Sequence, residues 1–242
     1  KLYLYGIHTI AAALSNPRRV KARLMVTQNA GQRLQKQISK VAGSLEVFEA
    51  APHDLDALVG RDAVHQGAVL ECQELPAKSL DDLSPGAPVL FLDQVSDPHN
   101  VGAIMRSACA LGAGAVVTTR RNAPHESGLL AKTASGAFEH LPYIQVTNLA
   151  RAVEEAQALG FFAIGLDSEG PSDLLETVAS NKQRDKIALV LGAEGSGLRR
   201  LTREKCDVLA RLDMQGPIKS LNVSNAATLS MFVCHQSLSN SN

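Results

Sequence analysis

The sequence predicts an α/β protein, a mostly parallel sheet domain preceded by a smaller α/β domain. Three observations lead there. Short apolar runs at residues 89–95, 115–119, 143–146, 161–166, 187–191 and 208–212 recur at regular spacing. Helical segments fill the intervals, and buried strands alternating with helices make parallel sheets covered on both faces. Residues 74–88 then mix proline, serine, acids and glycine, the composition of a linker. The expected division is therefore a first domain at 1–73, a linker at 74–88 and a second domain at 89–242.

Within the first domain, Leu2-Tyr3-Leu4-Tyr5 leads into the apolar stretch Ile7–Leu14. Thr9 is expected to cap a helix there, and Pro17 to end it. Residues 22–26 read as a short strand and 32–41 as a helix through Leu34, Ile38 and Val41. A strand at 45–48, a short helix at 52–59 and a closing strand at 67–72 complete the unit.

At 242 residues, with 45% hydrophobic and 20% charged, the chain has the make-up of a globular protein able to bury a core. No apolar run reaches the length of a membrane span, and the basic start lacks the h-region of a signal peptide. Cys72, Cys109, Cys206 and Cys234 are scattered without a CxxC pair. That spacing argues against a zinc site or a disulfide framework and fits reduced thiols in a cytoplasm.

Charge is unevenly placed. Residues 1–45 hold eight basic residues and no acid, so they carry +8. The remainder, with 16 basic and 24 acidic residues, carries −8. Such polarity fits a polyanionic partner, and nucleic acid is the one expected. Arg18, Arg19, Lys21, Arg23, Arg33 and Lys36 are the residues expected to track phosphates, which position a strand without reading its bases. With 4% aromatics and no Trp, base stacking is limited, and recognition of a folded shape fits better.

Loops after the carboxyl ends of parallel strands are where open α/β sheets bind ligands. Three of them are unusual. The first, Ser96-Asp97-Pro98-His99-Asn100-Val101-Gly102, runs into a helix carrying Arg106. The second, Gly192-Ala193-Glu194-Gly195-Ser196-Gly197, has spacing GxxGxG. A dinucleotide fingerprint needs GxGxxG early in the chain, and a P-loop needs Lys-Ser/Thr after its glycines. Both a tight turn and a close backbone approach to a ligand explain these glycines. The third stretch, Gly216–Ala227, packs Ser220, Asn222, Ser224 and Asn225 at a helix entrance. They read as caps for unpaired N–H groups or as ligands. Arg106, alone among small and apolar neighbours, is either paired with an acid, Glu194 being the natural partner, or held for an anion.

The blocks Asp97–Ala108, Leu191–Leu198 and Ser220–Ser224 together resemble the three motifs of the SpoU/TrmH methyltransferases of the SPOUT superfamily, in order and separation, across residues 89–236. The first domain, with Tyr5-Gly6-Ile7-His8 and His65-Gln66-Gly67, resembles the RNA-binding extension of the large-subunit rRNA guanosine 2′-O-methyltransferases. The resemblance implies a trefoil knot formed by the C-terminal segment, an exception to the usual rule against knots. It also implies a homodimer and S-adenosylmethionine as cofactor, with no metal.

By the same resemblance, Gly192, Leu191, Leu212, Met214 and Leu221 hold the cofactor. Arg106 is proposed in the family to activate the ribose hydroxyl. A guanidinium is effectively always protonated, so stabilising an alkoxide or anchoring the neighbouring phosphate is the alternative. Glu194 is expected to orient Arg106 or to accept the proton. Asn100, Ser220 and Asn222 are expected to hydrogen-bond the ribose, the cofactor or one another. His99 reads as a turn residue before a general base. The reading that results is 2′-O-methylation of a guanosine in large-subunit rRNA. Against it stand a tRNA substrate, a non-catalytic RNA-binding or ribosome-assembly protein, and a nucleotide-dependent oxidoreductase using the glycine loop.

Overall fold

A computed structural model of the chain describes residues 1–41, 43–83, 85–182 and 185–239. Ser84 of the expected linker and the last three residues lie outside the described ones. Two compact units emerge. The first is Lys1–Pro76 together with Pro124–His140, and the second is Ala77–Ala123 with the chain from Leu141 onward. Pro124–His140, placed by the sequence reading inside the second domain, thus packs with the first unit.

The first unit runs β1 (Leu2–Tyr5), α1 (Ile7–Ser15), β2 (Lys21–Val26), α2 (Gln28–Lys40), β3 (Glu46–Glu49), α3 (Pro52–Val59) and β4 (Ala68–Cys72). Its sheet has the order β1-β4-β2-β3, with β4 antiparallel to β1 and β2 and β3 parallel to β2. Alternation along the strands decides which helix covers which face. Tyr5, Met25 and Val69 cluster with Leu55 of α3. Their neighbours Leu4, Leu24 and Leu70, fully buried, point the other way. The Val26 side chain, on that second face, lies against Gly31 of α2. The sheet is sandwiched, with α2 on one side and α3 on the other.

Helix α1 is not capped by Thr9. It starts three residues earlier, after Gly6, whose φ of 89° turns the strand into the helix at a position open to glycine. The Gln66 side-chain carbonyl accepts the Ile7 N–H at 3.0 Å in place of a cap, and the Thr9 hydroxyl donates to the Ala131 carbonyl at 3.3 Å. Helix α2 also starts ahead of expectation, with Thr27 accepting from Ala30 N–H at 3.4 Å. Gln28, Asn29 and Gly31 contribute no apolar periodicity, so only the cap marks that start.

Arg19 does not track phosphates. It is 2% exposed, and its guanidinium donates to Glu139 (Nε, 3.0 Å; Nη2, 2.5 Å), to Glu126 (Nη2, 2.6 Å) and to the Gln73 carbonyl (Nη1, 3.0 Å). Asn16 adds a bond to Glu139 at 2.7 Å. A buried cation needs compensating charge, and both carboxylates come from Pro124–His140. This is the physical reason why that segment joins the first unit. It contains α5 (Gly128–Thr133), followed by a 3₁₀ turn at Ala137–Glu139.

The second unit runs β5 (Val89–Asp93), α4 (Pro98–Ala110), β6 (Ala115–Thr119), β7 (Tyr143–Val146), α6 (Leu149–Ala158), β8 (Phe162–Leu166), β9 (Ser172–Asp173), α7 (Leu174–Ser180), β10 (Ile187–Gly192), α8 (Arg200–Lys205), β11 (Val208–Arg211) and α9 (Val223–Ser239). All six strands read from the sequence are present, and β9 is added at an edge. The order is β7-β6-β5-β10-β8-β11-β9, every pairing parallel. The order reverses direction between β5 and β10, which opens a crevice at their carboxyl ends. Leu80, within the stretch read as linker, is buried in the core with Val89, Phe91 and Val153. That stretch therefore begins the second unit as well as connecting to it.

Replacing Arg19 by Met strands two buried carboxylates. We expect a loss of about 3–5 kcal/mol at neutral pH, measured by urea unfolding. Burial already pushes the Glu126 carboxyl upward against the pull of Arg19. Without Arg19, its folded value rises further above its unfolded one. Stability is then present at low pH and lost as pH rises, so the deficit should shrink on acidification.

Candidate active site

Three loops converge at the carboxyl edge of the second sheet. Around them lies a cavity of about 300 Å³ lined by residues of the β8, β10 and β11 ends and by the stretch before α9. Leu191, Gly192, Leu212, Met214 and Leu221, the five residues expected to hold a cofactor, all line it, as do Glu194 and Ser220. The remaining walls include Leu166, Ala210, Val223 and Ala226, so the lining combines aliphatic side chains with backbone edges.

The second loop is a closed turn. Gly197 N–H donates to the Ala193 carbonyl at 2.9 Å, and Gly197 has a φ of 65°. A Cβ at Gly192 would overlap the Gly197 carbonyl and the Leu198 nitrogen. The tight-turn reading accounts for both positions: Gly197 takes a left-handed conformation, and Gly192 lets the turn's own backbone fold back against it.

Glu194 projects from this turn to the start of α9. Its Oε1 accepts from Asn100 Nδ2 at 3.3 Å, from Asn222 Nδ2 at short range, and from the Val223 N–H at 3.3 Å. Asn222 in turn donates to Asn100 Oδ1 at 3.0 Å. Asn222 also ends the loop as the residue before α9, its Oδ1 accepting from Ser224 N–H at 2.9 Å and Ser224 Oγ at 2.5 Å. A carboxylate at a helix N-terminus meets unpaired N–H groups and the positive end of the helix dipole. One residue from each motif loop thus meets the others.

Arg106 does not join them. The expected Glu194–Arg106 pairing is absent, because Glu194 is engaged by Asn100, Asn222 and Val223. Arg106 is exposed on α4 and makes no hydrogen bond or ion pair among the described residues. Six residues beyond Asn100, one and two-thirds turns, it lies on a different face of the helix. Ser220 likewise has no hydrogen-bond partner among the described residues. His99 is exposed in the first turn of α4, its backbone N–H donating to the capping Asp97 at 3.0 Å, so its place is that of a turn residue. Lys219, within the third loop, donates to the Met214 carbonyl at 2.7 Å and draws the loop around the cavity.

Sequence reading missed one support. Asp93, at the end of β5 and 0% exposed, accepts from Arg199 N–H (2.9 Å) and from Arg199 Nε (2.7 Å). Asp93 precedes the first loop, and Arg199 follows the glycine turn. Their ion pair ties the two loops from beneath. The signal available was an acid closing the apolar run Val89-Leu90-Phe91-Leu92, which a buried strand tolerates only with a partner. Burial pushes the Cys206 thiol up to about 12, away from the thiolate form. Among the described residues no three His, Cys, Asp or Glu side chains gather as a metal cluster.

Residues 87–232, more than half of the chain, match the SpoU rRNA Methylase family. The chain belongs to this family. Residues 3–77 of this SpoU chain match a second description, RNA 2′-O ribose methyltransferase substrate binding. It is 39% identical over 236 residues to the 23S rRNA (guanosine-2′-O-)-methyltransferase RlmB of Ralstonia nicotianae, covering 95% of this chain and 93% of that one. The protein of the same name from Yersinia pestis is also 39% identical, over 95% of this chain and 94% of its own. Among solved structures, the SpoU methyltransferase AviRb of Streptomyces viridochromogenes, in complex with AdoMet, has a TM-score of 0.79 at 24% identity, covering 97% of this chain and 89% of that one. The SpoU fold is shared across that distance.

Substituting Gly192 by Ala should cost about 1–3 kcal/mol through overpacking, since the colliding atoms are backbone. The thermal midpoint should fall, and any ligand of the cavity should bind more weakly in calorimetry.

Proposed function

We propose that this chain uses S-adenosylmethionine to methylate the 2′-hydroxyl of a guanosine ribose in 23S-type rRNA. The observation that carries the reading is the meeting of Asn100 and Asn222 on Glu194, which itself lines a cavity of aliphatic side chains and backbone edges. The names carried by relatives 36–39% identical over 95% of the chain support the substrate.

The cavity residues suit the cofactor. Leu191, Leu212, Met214 and Leu221 offer apolar surface for an adenine and a methionine chain, and Gly192 lets backbone groups approach. Bound there, S-adenosylmethionine supplies a methyl group on an electrophilic sulfonium. Positioning supplies much of the remaining effect. Asn100, Ser220 and Asn222 present hydrogen-bonding groups toward a ribose. Glu194 orients the two asparagines through the bonds above. Arg106, permanently charged and exposed, stabilises negative charge developing on the 2′-oxygen or holds the adjoining phosphate.

Exposed cations of the first unit bind the RNA: Arg33 and Lys36 stand in solvent, and Arg18 is exposed with its guanidinium donating to the Glu139 carbonyl at 3.4 Å. Lys21 and Arg23 are weaker candidates. Lys21 donates to the Asn16 carbonyl at 2.6 Å, and Arg23 pairs with Glu71 at 2.5 Å. The protein acts as a homodimer in the cytoplasm. Leu229 and Phe232, 45% and 49% exposed on α9, support a partner there. The family resemblance supports a knotted C-terminal segment.

Arg106→Ala should reduce methyl transfer to its RNA by at least 10²-fold while the dissociation constant for S-adenosylmethionine stays within twofold. Wild-type turnover in that variant would remove Arg106 from the reaction. Mapping 2′-O-methyl groups in total RNA with and without this protein tests the substrate. A guanosine in large-subunit rRNA should lose its methyl, and a loss confined to tRNA would overturn the assignment.

A further inference from the structure

The first unit segregates charge by layer. Helix α2, covering the Leu24 and Val26 face of the sheet, carries Arg33, Lys36 and Lys40 and no acid. Helix α1, packed beside it, carries no Asp, Glu, Lys or Arg. Helix α3, on the opposite face, carries Asp54 and Asp56 and no cation. The two acids nearest α1, Glu126 and Glu139, are buried and paired with Arg19. Lys1 and Arg23 share Glu71, and Arg18 and Lys21 donate to backbone carbonyls, so the cations of the first 45 residues without such a partner among the described residues are those of α2.

Arg33, Lys36 and Lys40 are exposed and form no ion pair among the described residues. Spaced by three and seven residues, they fall within about 60° of one another on the helix surface. Over about 10 Å of helix axis they form one ridge, long enough to meet more than one phosphate of a strand. The rest of the exposed α2 surface is amide and hydroxyl side chains, with Asn29 and Gln32 beside the cations. No large apolar side chain is exposed on α2, as insertion into a lipid surface would need.

We infer that the α2 face, through Arg33, Lys36 and Lys40, is the surface on which the first unit receives the phosphate backbone of the RNA. This rests on the RNA methyltransferase reading above and narrows it. Of the six cations expected from sequence, Arg19 is consumed in the core and Arg23 by Glu71, whereas Lys40, not among them, belongs to the ridge. Contacts of this kind set register and affinity, not base identity.

The test uses the full-length protein and a fluorescently labelled single-stranded fragment of 23S rRNA, with binding followed by anisotropy across a salt series. The triple variant Arg33→Gln, Lys36→Gln, Lys40→Gln should lower the slope of log affinity against log salt by about 2, which is about 50-fold weaker binding at 0.15 M salt. Arg33→Gln alone should lower the slope by about 0.7. Arg61→Gln, the same charge change at an exposed site beyond α3, should leave it unchanged. Circular dichroism and S-adenosylmethionine calorimetry should match the wild type in every variant. An unchanged slope in the triple variant, with wild-type protein still methylating rRNA, overturns the face assignment alone. An equal effect from Arg61→Gln overturns it too, since the charge would then act without a surface. Loss of binding to anionic vesicles with RNA affinity intact would likewise overturn it. Wild-type protein that neither methylates RNA nor binds S-adenosylmethionine overturns the functional reading itself.

Discussion

Glu194 Oε1 is the acceptor on which the geometry of the second unit's ligand edge depends. Three chain segments far apart in sequence reach it: Asn100 from the start of α4, Asn222 from the loop before α9, and the first N–H of α9. A carboxylate is well suited to the place. Each oxygen accepts several bonds, and the helix N-terminus supplies both donors and a favourable field. Neutral side chains would satisfy some of these donors but not the field. The Asp93–Arg199 pair holds the same two strand ends from below, so the glycine turn is pinned on both sides.

A comparable constraint organises the first unit. Arg19 is buried in the first unit and requires two carboxylates from a segment more than a hundred residues onward. The chain therefore leaves the second unit after β6, contributes Pro124–His140 to the first, and returns for β7. Three covalent crossings join the units where a single linker was expected. Swapping a buried ion cluster for apolar residues is often neutral, but losing one partner is not. That asymmetry makes the segment's allegiance specific.

The same accounting separates structural from available charge. Of the eight basic residues in the first 45, Arg19 is buried with two acids, Lys1 and Arg23 share Glu71, and Arg18 and Lys21 are tied to backbone carbonyls. What remains free is concentrated on one helix. A formal charge of +8 over a segment says little about where a polyanion meets it, because burial and pairing determine which charges a solvent-borne partner feels.

Much was legible in the chain alone. Short apolar runs marked the strands of the parallel sheet, since a strand buried on both faces tolerates little else. Glycine and small polar residues at the strand ends marked the ligand edge, and the five cavity-lining residues Leu191, Gly192, Leu212, Met214 and Leu221 lie in or beside those motif loops. Other decisions needed the fold. Gly6 rather than Thr9 starts α1 because Gln66, distant in sequence, supplies the missing acceptor. Glu194 binds two asparagines rather than Arg106 because the strand order brings those loops together and leaves Arg106 on another helix face. Arg19 leaves the RNA-facing set because two remote acids enclose it. Local pattern reports on periodicity and turn chemistry, which act over a few residues. The partner of a polar or charged side chain is set by contacts across the fold, and those only the tertiary structure decides.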